Sequence, residues 1–389
     1  MKLLVTNGEA RSALAITRSL GDAGHTVYVS APKRYSLAGL SRHCAGEFLQ
    51  PGGAASPDEI AASIAATAGH CDVDQVVGVI DRTLTALHLA NPGLSPTVLP
   101  HPRAEDYLCA SDKTWLFTRC REWSIDVPAG ECVAGGELPS RKNLERIGRE
   151  WVLRPALSWR WAAGHWVHGS VRAVSNWEAL VDAVTQDAAF AHPYLVQERI
   201  RGDGCGLFIC ARAGRIEALF SHQRMREKPP WGGVSTLCRS VRPPEDLVRV
   251  AERFVTEQQW SGLAMLEFKR DAKDGKPYLL EINARPWGSM ALSRAAGVDF
   301  ARVWLTPDRF DHTPGHYRDG VRLRWWWGDV DHFYLLQKER GASGAVAMLR
   351  ALSRACVAGP RADAWDTFRR DDPLPFVAET LGWWAREGQ

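Results

Sequence analysis

The 389-residue sequence predicts a mixed protein in which an α/β region is followed by an α+β region. Two observations lead to this prediction. The first thirty residues alternate between strand, helix and strand, which is typical of a parallel βαβ unit. Beyond about residue 110, apolar strand-like runs are joined by short turns, which is typical of antiparallel hairpins. A chain of this length is expected to divide into two or more domains.

The α/β region is predicted to occupy residues 1–105. The turn after its first strand, Thr6-Asn7-Gly8-Glu9-Ala10, contains one glycine, so a dinucleotide site of the G-x-G-x-x-G type is not expected there. A proline-rich stretch over 91–102 is the predicted linker out of this region. The predicted elements alternate in chain order: strand 2–6, helix 10–24, strand 25–31, helix 58–68, strand 75–80 and helix 83–90.

The α+β region is predicted to contain two well-marked hairpins. Ala213-Gly214 provides the turn of the first, and Asp274-Gly275 lies in the loop of the second. After Gly297 the pattern weakens to scattered tryptophans, for which packing is the simplest interpretation, and an alanine-rich helix. The predicted elements are strand 151–155, helix 177–184, strand 193–200, hairpin 207–222, hairpin 263–285 and helix 345–355.

Composition and charge argue against several classes of protein. Forty-eight basic and 45 acidic residues give a net charge of +3, which provides no overall field for a nucleic acid or a membrane surface. No stretch reaches the ~18 apolar residues of a membrane span, and the start lacks the apolar run of a signal peptide. The nine cysteines are scattered and form no C-x-x-C pair. We therefore expect reduced thiols, no zinc site and a cytoplasmic location.

The strongest functional signal is the hairpin 263–285. Alternate residues of a strand share a face, so the apolar residues Leu266 and Phe268 on one strand must lie on the same face as Leu280 and Ile282 on the other. Superposing these apolar faces fixes the register of the hairpin. It predicts that Phe268 lies opposite Leu280.

The same register places a polar group on one face of the hairpin. It sets Glu267 opposite Glu281 and Met265 opposite Asn283, with Arg285 two residues further on. Opposed like charges destabilise a sheet unless a cation lies between them, and two carboxylates with an amide oxygen suit Mg²⁺. Glu267, Glu281 and Asn283 are therefore the predicted metal ligands. The alternative is that they form the solvated face of a half-buried hairpin.

The repulsion between the two glutamates has a consequence for stability. If it is relieved only by a metal ion, replacing Glu267 or Glu281 by glutamine should leave the metal-free protein no less stable.

These residues resemble the ATP-grasp superfamily, and in particular its carboxylate–amine ligase branch. The segments GLAMLEFKRD (262–271) and LLEINARPWGS (279–289) are similar to the two metal-binding strands of that family, the second through its E-x-N-x-R pattern. The resemblance covers about residues 1–300. Other segments follow in the order that the family has: 111–128, 152–155, 195–204 and 222–235.

The resemblance implies a domain organisation and cofactors. It implies a Rossmann-like domain over 1–105, followed by an ATP-grasp fold in which two α+β subdomains, 106–195 and 196–300, clamp ATP. A C-terminal extension would occupy 301–389. The implied cofactors are ATP and one or two Mg²⁺ ions.

The resemblance also implies contacts to the nucleotide. Lys113 and Arg154 match the two phosphate-binding lysines, and arginine can still bind phosphate although its planar guanidinium is not a point charge. The lid that follows, 156–164, has a single glycine. The implied contacts to adenine and ribose, for which a solvated strand end is the alternative, are Gln197, Glu198, the backbone of Arg199 and Ile200, and Asp203.

Two arginines are candidates for contacting the substrate. Arg224 and Arg226 are two residues apart on a predicted strand, so they could share a face that clamps a carboxylate or an acyl phosphate. A solvated edge strand is the alternative. His222, a neighbour of this pair, is expected to be structural. Asp81 and Thr83 follow a parallel strand, where α/β proteins place ligands.

The implied reaction is formation of an amide from a carboxylate and an amine. Mg²⁺-ATP would phosphorylate the carboxylate, and the amine would then displace phosphate, with Arg285, Arg154, Arg224 and Arg226 as the catalytic cations. The implied partners are small-molecule substrates without nucleic acid or membrane, and a homodimer is left open. Three alternatives also stay open: a biotin-carboxylase-like or purine-pathway enzyme, a non-catalytic ATP-binding protein, and a nucleic-acid-binding module, which only the abundance of arginine suggests.

Overall fold

A computed structural model describes residues 1–95, 98–148, 150–230, 232–306, 317–342, 344–357 and 362–387. These residues form three larger β-sheets and one separate two-stranded hairpin. Two residues of the predicted linker, Pro96 and Thr97, lie outside the described residues, as does Trp231 of the segment 222–235. The mixed α/β and α+β class is confirmed.

The first sheet is parallel, with strand order β3-β2-β1-β4, as the βαβ pattern predicts. The unpredicted strand β3 is a partly exposed edge strand without a continuous apolar run. The predicted strand 75–80 ends earlier, and Asp81 begins a helix at its carboxyl end. The elements are β1 (Lys2–Val5), α1 (Arg11–Asp22), β2 (Thr26–Ala31), β3 (Cys44–Leu49), α2 (Pro57–Cys71), β4 (Gln75–Val77) and α3 (Asp81–Ala90).

The second sheet is antiparallel, with strand order β5-β10-β6-β9. The predicted lid, 156–164, contains the first strand and the turn of the separate hairpin β7–β8, and we keep the name lid for 156–168. The turn at Ala163-Gly164 takes positive φ at both residues, as a type I′ hairpin turn requires. The elements are α4 (Ala104–Ser111), α5 (Lys113–Glu122), β5 (Gly130–Val133), α6 (Arg141–Ile147), β6 (Trp151–Pro155), β7 (Trp159–Ala162), β8 (His165–His168), β9 (Arg172–Val174), α7 (Trp177–Gln186) and β10 (Tyr194–Glu198).

The third sheet has seven strands in the order β15-β14-β11-β12-β13-β16-β17. The segment after residue 301 adds its last two strands, so this segment continues the sheet that carries the predicted metal hairpin. The elements are β11 (Gly202–Arg212), β12 (Arg215–Lys228), β13 (Val234–Val241), α8 (Glu245–Gln258), β14 (Gly262–Asp271), β15 (Pro277–Asn283), α9 (Met290–Ala295), α10 (Phe300–Leu305), β16 (Arg322–Arg324), α11 (Trp326–Glu339), α12 (Gly344–Val357), β17 (Ala364–Trp365) and α13 (Leu374–Glu387).

The apolar core joins the first and third sheets. Leu3 of β1 and Leu14 of α1 belong to the same buried cluster as Phe208 of β11, Trp287 and Phe300. Burial of these large side chains is the main force that fixes the first sheet beside the third. As a result, Asp81 at the carboxyl end of the first sheet approaches the end of β15.

The C-terminal helices α11, α12 and α13 share a smaller core. Trp327 and Trp383 stack within it at a centroid distance of 4.3 Å, which agrees with packing as the interpretation of these tryptophans. All nine cysteines are free thiols. None of the described helices has both the length and the apolar character of a membrane span.

Candidate active site

The hairpin β14–β15 has the predicted register at its polar face. Glu267 pairs with Glu281, as predicted. The prediction that Phe268 lies opposite Leu280 is wrong, because a β-bulge after Glu267 shifts the register and places Phe268 opposite Leu279. Leu279 is consequently the residue that the bulge turns into the core, where it is 1% exposed.

Two cations contact the carboxylate of Glu281. Arg154 Nη2 lies 2.9 Å and Lys113 Nζ 3.6 Å from Glu281 Oε2, and both cationic side chains are less than a tenth exposed. Burial by itself would raise the pKa of Glu281, but Lys113, Arg154 and a hydrogen bond from Asn283 outweigh it and lower the pKa. Glu281 is therefore held as a carboxylate.

The carboxylate of Glu267 has a different environment. Its nearest cation is Arg224, whose Nη2 lies 3.4 Å from Glu267 Oε1. Burial and the neighbouring charge of Glu281 raise the pKa of Glu267. The two glutamates thus face each other but ionise with unequal ease, which is how two carboxyl groups in one site are expected to behave.

The amide of Asn283 lies between the two carboxylates. Its Nδ2 donates to Glu281 Oε1 at 3.2 Å and to Glu267 Oε1 at 3.4 Å, while its Oδ1 accepts from Arg285 Nη2 at 3.3 Å. The oxygen and nitrogen of an amide are interchanged by a rotation about its last torsion. Rotated, Asn283 would offer oxygen beside two carboxylates, which is a donor set that fits Mg²⁺.

Arg285 joins this hairpin to the first sheet. Its Nε lies 2.8 Å from Asp81 Oδ2, at the start of α3. Burial would lower the pKa of Arg285, but Asp81 outweighs it and the pKa is raised, so the guanidinium stays charged. Asp81 is therefore in the site. Thr83, the other candidate after β4, is a buried residue of α3 and is 1% exposed.

Lys113 reaches the site from the first residue of α5. Asp112 caps that helix, because its side chain accepts from the backbone N–H groups of Thr114 and Trp115. Lys113 Nζ donates to Ser158 Oγ of the lid at 3.1 Å. The sequence singled out the lid segment without assigning Ser158 a contact.

The lid lies over the site and is hydrogen-bonded to the loop before α2. Trp159 lines a small cavity together with Lys113, Glu281 and Asn283. Trp166, on the second strand of the lid, donates its indole N–H to the carbonyl oxygen of Ala55 at 2.8 Å. The lid hairpin thus bridges Lys113 and the loop before α2.

The two candidate arginines of β12 do not share a face. The pairing of β12 with β13 shifts register between Arg224 and Arg226, and again after Arg226. Such bulges redirect side chains. Arg224 contacts Glu267, whereas Arg226 Nη2 lies 2.9 Å from Asp329 of α11. The predicted common face is therefore wrong, and the structure does not bring Arg226 into the site.

His222 behaves as the structural residue that the sequence suggested. It is 3% exposed and contacts Ser289 Oγ through Nδ1 at 3.2 Å. Burial, with help from Arg224, lowers its pKa to about 3, so the imidazole is neutral.

The predicted adenine contacts lie at the end of β10. Gln197 is buried, and its Oε1 has no hydrogen-bond partner among the described residues. The backbone N–H of Arg199 already donates to the carbonyl oxygen of Glu150 at 3.1 Å, so it is not available to a base. Glu198 and Ile200 are partly exposed and Asp203 is exposed on β11. Nucleotide contacts at these residues stay a prediction.

Comparison with known proteins adds the following findings. A family model described as "ATP-grasp in the biosynthetic pathway with Ter operon" matches residues 190–326, which include Glu267, Glu281 and Asn283. No curated protein matches the chain in sequence.

Solved structures match most of the chain. A biotin carboxylase from Campylobacter jejuni, in a β-γ-ATP complex, is 15% identical, with 82% of this chain and 74% of that chain covered and a TM-score of 0.63. An L-amino acid ligase from Bacillus licheniformis is 15% identical, with 82% and 78% covered and a TM-score of 0.61.

A third structure was solved with nucleotide and metal. It is the biotin carboxylase domain of the Hydrogenobacter thermophilus 2-oxoglutarate carboxylase with MgADP, ADP and bicarbonate. It is 15% identical, with 82% of this chain and 73% of that chain covered and a TM-score of 0.60. The predicted resemblance to the ATP-grasp superfamily is confirmed, and this chain has the ATP-grasp fold.

Proposed function

We propose that the protein is an ATP-dependent ligase that activates a carboxylate as an acyl phosphate and joins it to an amine. The observation that carries the proposal is the pairing of Glu267 with Glu281 on β14–β15, beside the cations Lys113, Arg154 and Arg285. Carboxylates for a metal ion and cations for phosphate are the parts that phosphoryl transfer requires. The ATP-grasp fold, shared with a structure named as an L-amino acid ligase, supports this assignment.

The cations would act on the transferring phosphoryl group. Lys113 and Arg154 both lie against Glu281, and a triphosphate could take over these charges from the carboxylate. Arg154 uses one nitrogen, Nη2, for this contact. Such preorganised cations stabilise the charge that develops on the phosphoryl oxygens, and they need little rearrangement during the reaction.

Glu267, Glu281 and Asn283 would hold Mg²⁺. The bound ion would neutralise phosphate charge and orient the phosphates. It would also remove the repulsion between the two glutamates that their opposed register imposes. Around it, Arg224 would orient Glu267, and Asp81 would hold Arg285 beside Asn283.

The proposed chemistry balances in two steps. A substrate carboxylate oxygen bonds to the γ-phosphorus, the bond to the β–γ bridging oxygen breaks, and ADP leaves. The amine nitrogen then bonds to the acyl carbon, phosphate leaves with the carbon–oxygen bonding pair, and the nitrogen loses a proton. Arg154 and Arg285 oppose negative charge during the first step, and no side chain is assigned to the final proton transfer.

The direct test is ADP release across a matrix of carboxylates and amines, with detection of the amide by mass. We expect ADP and amide in equal amounts for at least one pair, and about a thousandfold slower release of both with Glu281→Gln. Bicarbonate is included as a separate acceptor. ADP release that needs bicarbonate and gives no amide would identify the biotin-carboxylase-like alternative.

A melting experiment tests the nucleotide site by itself. A ligand that binds only the folded state raises its stability, by about 2.7 kcal/mol at a hundred times the dissociation constant. We expect Mg²⁺-ATP to raise the melting temperature above that with Mg²⁺ alone. Stabilisation without ADP release from any pair would favour a non-catalytic ATP-binding protein, and no stabilisation would contradict the nucleotide site.

A further inference from the structure

The helix α11 holds the strand that carries Arg224. Three residues within one turn of this helix, Asp329, Asp331 and His332, contact β12 at consecutive positions, 226 to 228. Arg224 lies two residues before this stretch. The position of Arg224 is therefore tied to a helix from the C-terminal segment.

Asp329 is the most deeply buried of the three. It is fully buried and lies 2.9 Å from Arg226 Nη2 and 2.6 Å from Arg324 Nε. Thr236 Oγ1 also donates to it at 2.7 Å. One carboxylate thus connects β12, β13 and β16. A buried charge with this many partners fixes their relative positions, because any shift leaves a charged group unpaired.

Asp331 and His332 hold the next two positions of β12. Asp331 forms an ion pair with Lys228, and its other oxygen accepts from the indole N–H of Trp383 at 2.8 Å. His332 Nδ1 donates to the carbonyl oxygen of Glu227 at 2.7 Å. Helix α11 is in turn packed against Trp383 of α13, so the position of the residues that contact β12 is itself fixed by packing.

The opposite side of the same stretch faces the candidate site. Arg224 Nη1 lies 3.2 Å from Glu227 Oε1, and its Nη2 lies 3.4 Å from Glu267 Oε1. The bulges around Arg226 are what separate the two sides. Bulges are common beside active sites, where they redirect a side chain. Here one side of the strand contacts α11 and the other contacts a proposed metal ligand.

We propose that α11 is a positioning element of the active site, and that Asp329, Asp331 and His332 set the place of Arg224 against Glu267. This inference rests on the proposed function for its kinetic consequence. Arg224 contacts Glu267, whereas the proposed phosphate-binding pair Lys113 and Arg154 contacts Glu281. Loosening α11 should therefore weaken binding of the non-nucleotide substrates more than binding of ATP.

The variant Asp331→Asn tests the proposal with little disturbance. Asparagine keeps an oxygen for the indole of Trp383 but removes the charge that pairs with Lys228. Asp363→Asn is the matched control, because Asp363 pairs with Arg322 in the same segment without contacting β12. Since small displacements in a site are costly, kcat/KM for the carboxylate or amine should fall about tenfold in Asp331→Asn. The KM for ATP should stay within twofold.

The result that would overturn the proposal is equal behaviour of the two variants, or an equal rise in the KM of ATP and of the other substrates. Restoring charge with Asp331→Glu should recover at least part of the lost kcat/KM. If Asp331 had a purely structural role, Asp331→Asn would instead lower the melting temperature. The ratio of the KM for the carboxylate or amine to the KM for ATP would then stay unchanged.

Hydrogen exchange separates this proposal from the proposed ligase activity. Backbone amides of residues 224–228 should exchange about tenfold faster in Asp331→Asn than in Asp363→Asn, because local opening becomes easier when contacts are lost. Unchanged exchange would overturn the positioning role even if the protein is an active ligase. Faster exchange in a protein that releases no ADP would support the positioning of Arg224 and leave the ligase assignment as the part that failed.

Discussion

The hairpins β14–β15 and β12–β13 both bring charged side chains to the candidate site, and both contain a bulge. In β14–β15 the bulge follows Glu267, outside the stretch that pairs Glu267 with Glu281. In β12–β13 the register shifts between Arg224 and Arg226. Alternation of side chains therefore predicts a shared face in the first hairpin and fails in the second. Spacing along a strand is informative only between bulges.

The largest expected effect tests the first hairpin. Glu267→Gln and Glu281→Gln should each lower the rate of Mg²⁺-dependent ADP release about a thousandfold, or about 4 kcal/mol, because charge neutralisation of the phosphates is lost. A coupled assay for ADP measures this. Glu257→Gln is the control, because Glu257 lies on α8 and forms an exposed pair with Arg253. A loss of less than tenfold in both site variants would contradict the metal site.

The second prediction tests whether the bulge in β12 separates the roles of Arg224 and Arg226. Arg226→Met should lower the free energy of unfolding by about 2 kcal/mol, because it removes one partner of the buried Asp329. Arg224→Met should change stability by less than about 1 kcal/mol, since its partner Glu267 is partly exposed whereas Asp329 is not, but should lower ADP release about tenfold. Urea unfolding and the ADP assay measure the two effects. Equal losses of stability and activity in both variants would mean that the bulge does not separate their roles.

The third prediction concerns the two glutamates in the absence of metal. The pKa of Glu281 is lowered from its ordinary value of 4.5. Its negative charge therefore stabilises the fold at pH values above 4.5, and this stabilisation is lost as the pH falls below 4.5. The pKa of Glu267 is raised, so its ionisation reduces stability at neutral pH, and this penalty disappears as the pH falls to 4.5.

Glutamine should therefore act in opposite directions at the two positions. At pH 7 without Mg²⁺, Glu281→Gln should destabilise the protein by about 1–2 kcal/mol, because Arg154 and Lys113 lose their partner. Glu267→Gln should be neutral or stabilising. Melting curves from pH 7 to pH 3 measure both differences: that of Glu267→Gln should shrink by pH 4.5, and that of Glu281→Gln only as the pH falls from 4.5 towards 2. The sequence led us to expect that neither change lowers the stability of the metal-free protein. This expectation now applies to Glu267→Gln only, and destabilisation by Glu267→Gln would contradict it.

The smallest effect is expected at the residue that departs from the family. Arg154 contacts Glu281 through one nitrogen, and its Nε has no hydrogen-bond partner among the described residues. A lysine can replace a contact of this kind better than a bidentate one. Arg154→Lys should therefore change ADP release and the dissociation constant of ATP by less than about fivefold. Arg154→Met is the control, and equal loss in both variants would show that the guanidinium is required.

Sequence reasoning was most successful where neighbouring residues determine the structure. The βαβ unit and the pairing of Glu267 with Glu281 follow from local apolar patterns, because the apolar residues of each strand identify the face that is buried. The family resemblance then placed Lys113 and Arg154 in the site. Their contacts with Glu281 join residues more than a hundred positions apart, which no local pattern records.

The contacts of the C-terminal segment could not be predicted in this way. Strands β16 and β17 have three and two residues, too few to show a period, and they pair in parallel across a separation of about forty residues. The bulges at Arg226 occur where that residue forms its buried pair with Asp329, a contact across about a hundred residues that no local pattern records. The role of α11 therefore became apparent only from the three-dimensional arrangement.

The attachment of the lid by Trp166 has a consequence for the rate of nucleotide exchange. If the lid must lift to admit ATP, the hydrogen bond to Ala55 and the packing of the indole must first be given up. Every 1.4 kcal/mol in these contacts lowers the open population about tenfold, and the rate of ATP entry falls by the same factor when only the open form admits the ligand. The same contacts would slow the escape of a bound nucleotide to the same extent. A tryptophan anchor would thus lengthen the residence time of the nucleotide and leave its equilibrium affinity unchanged.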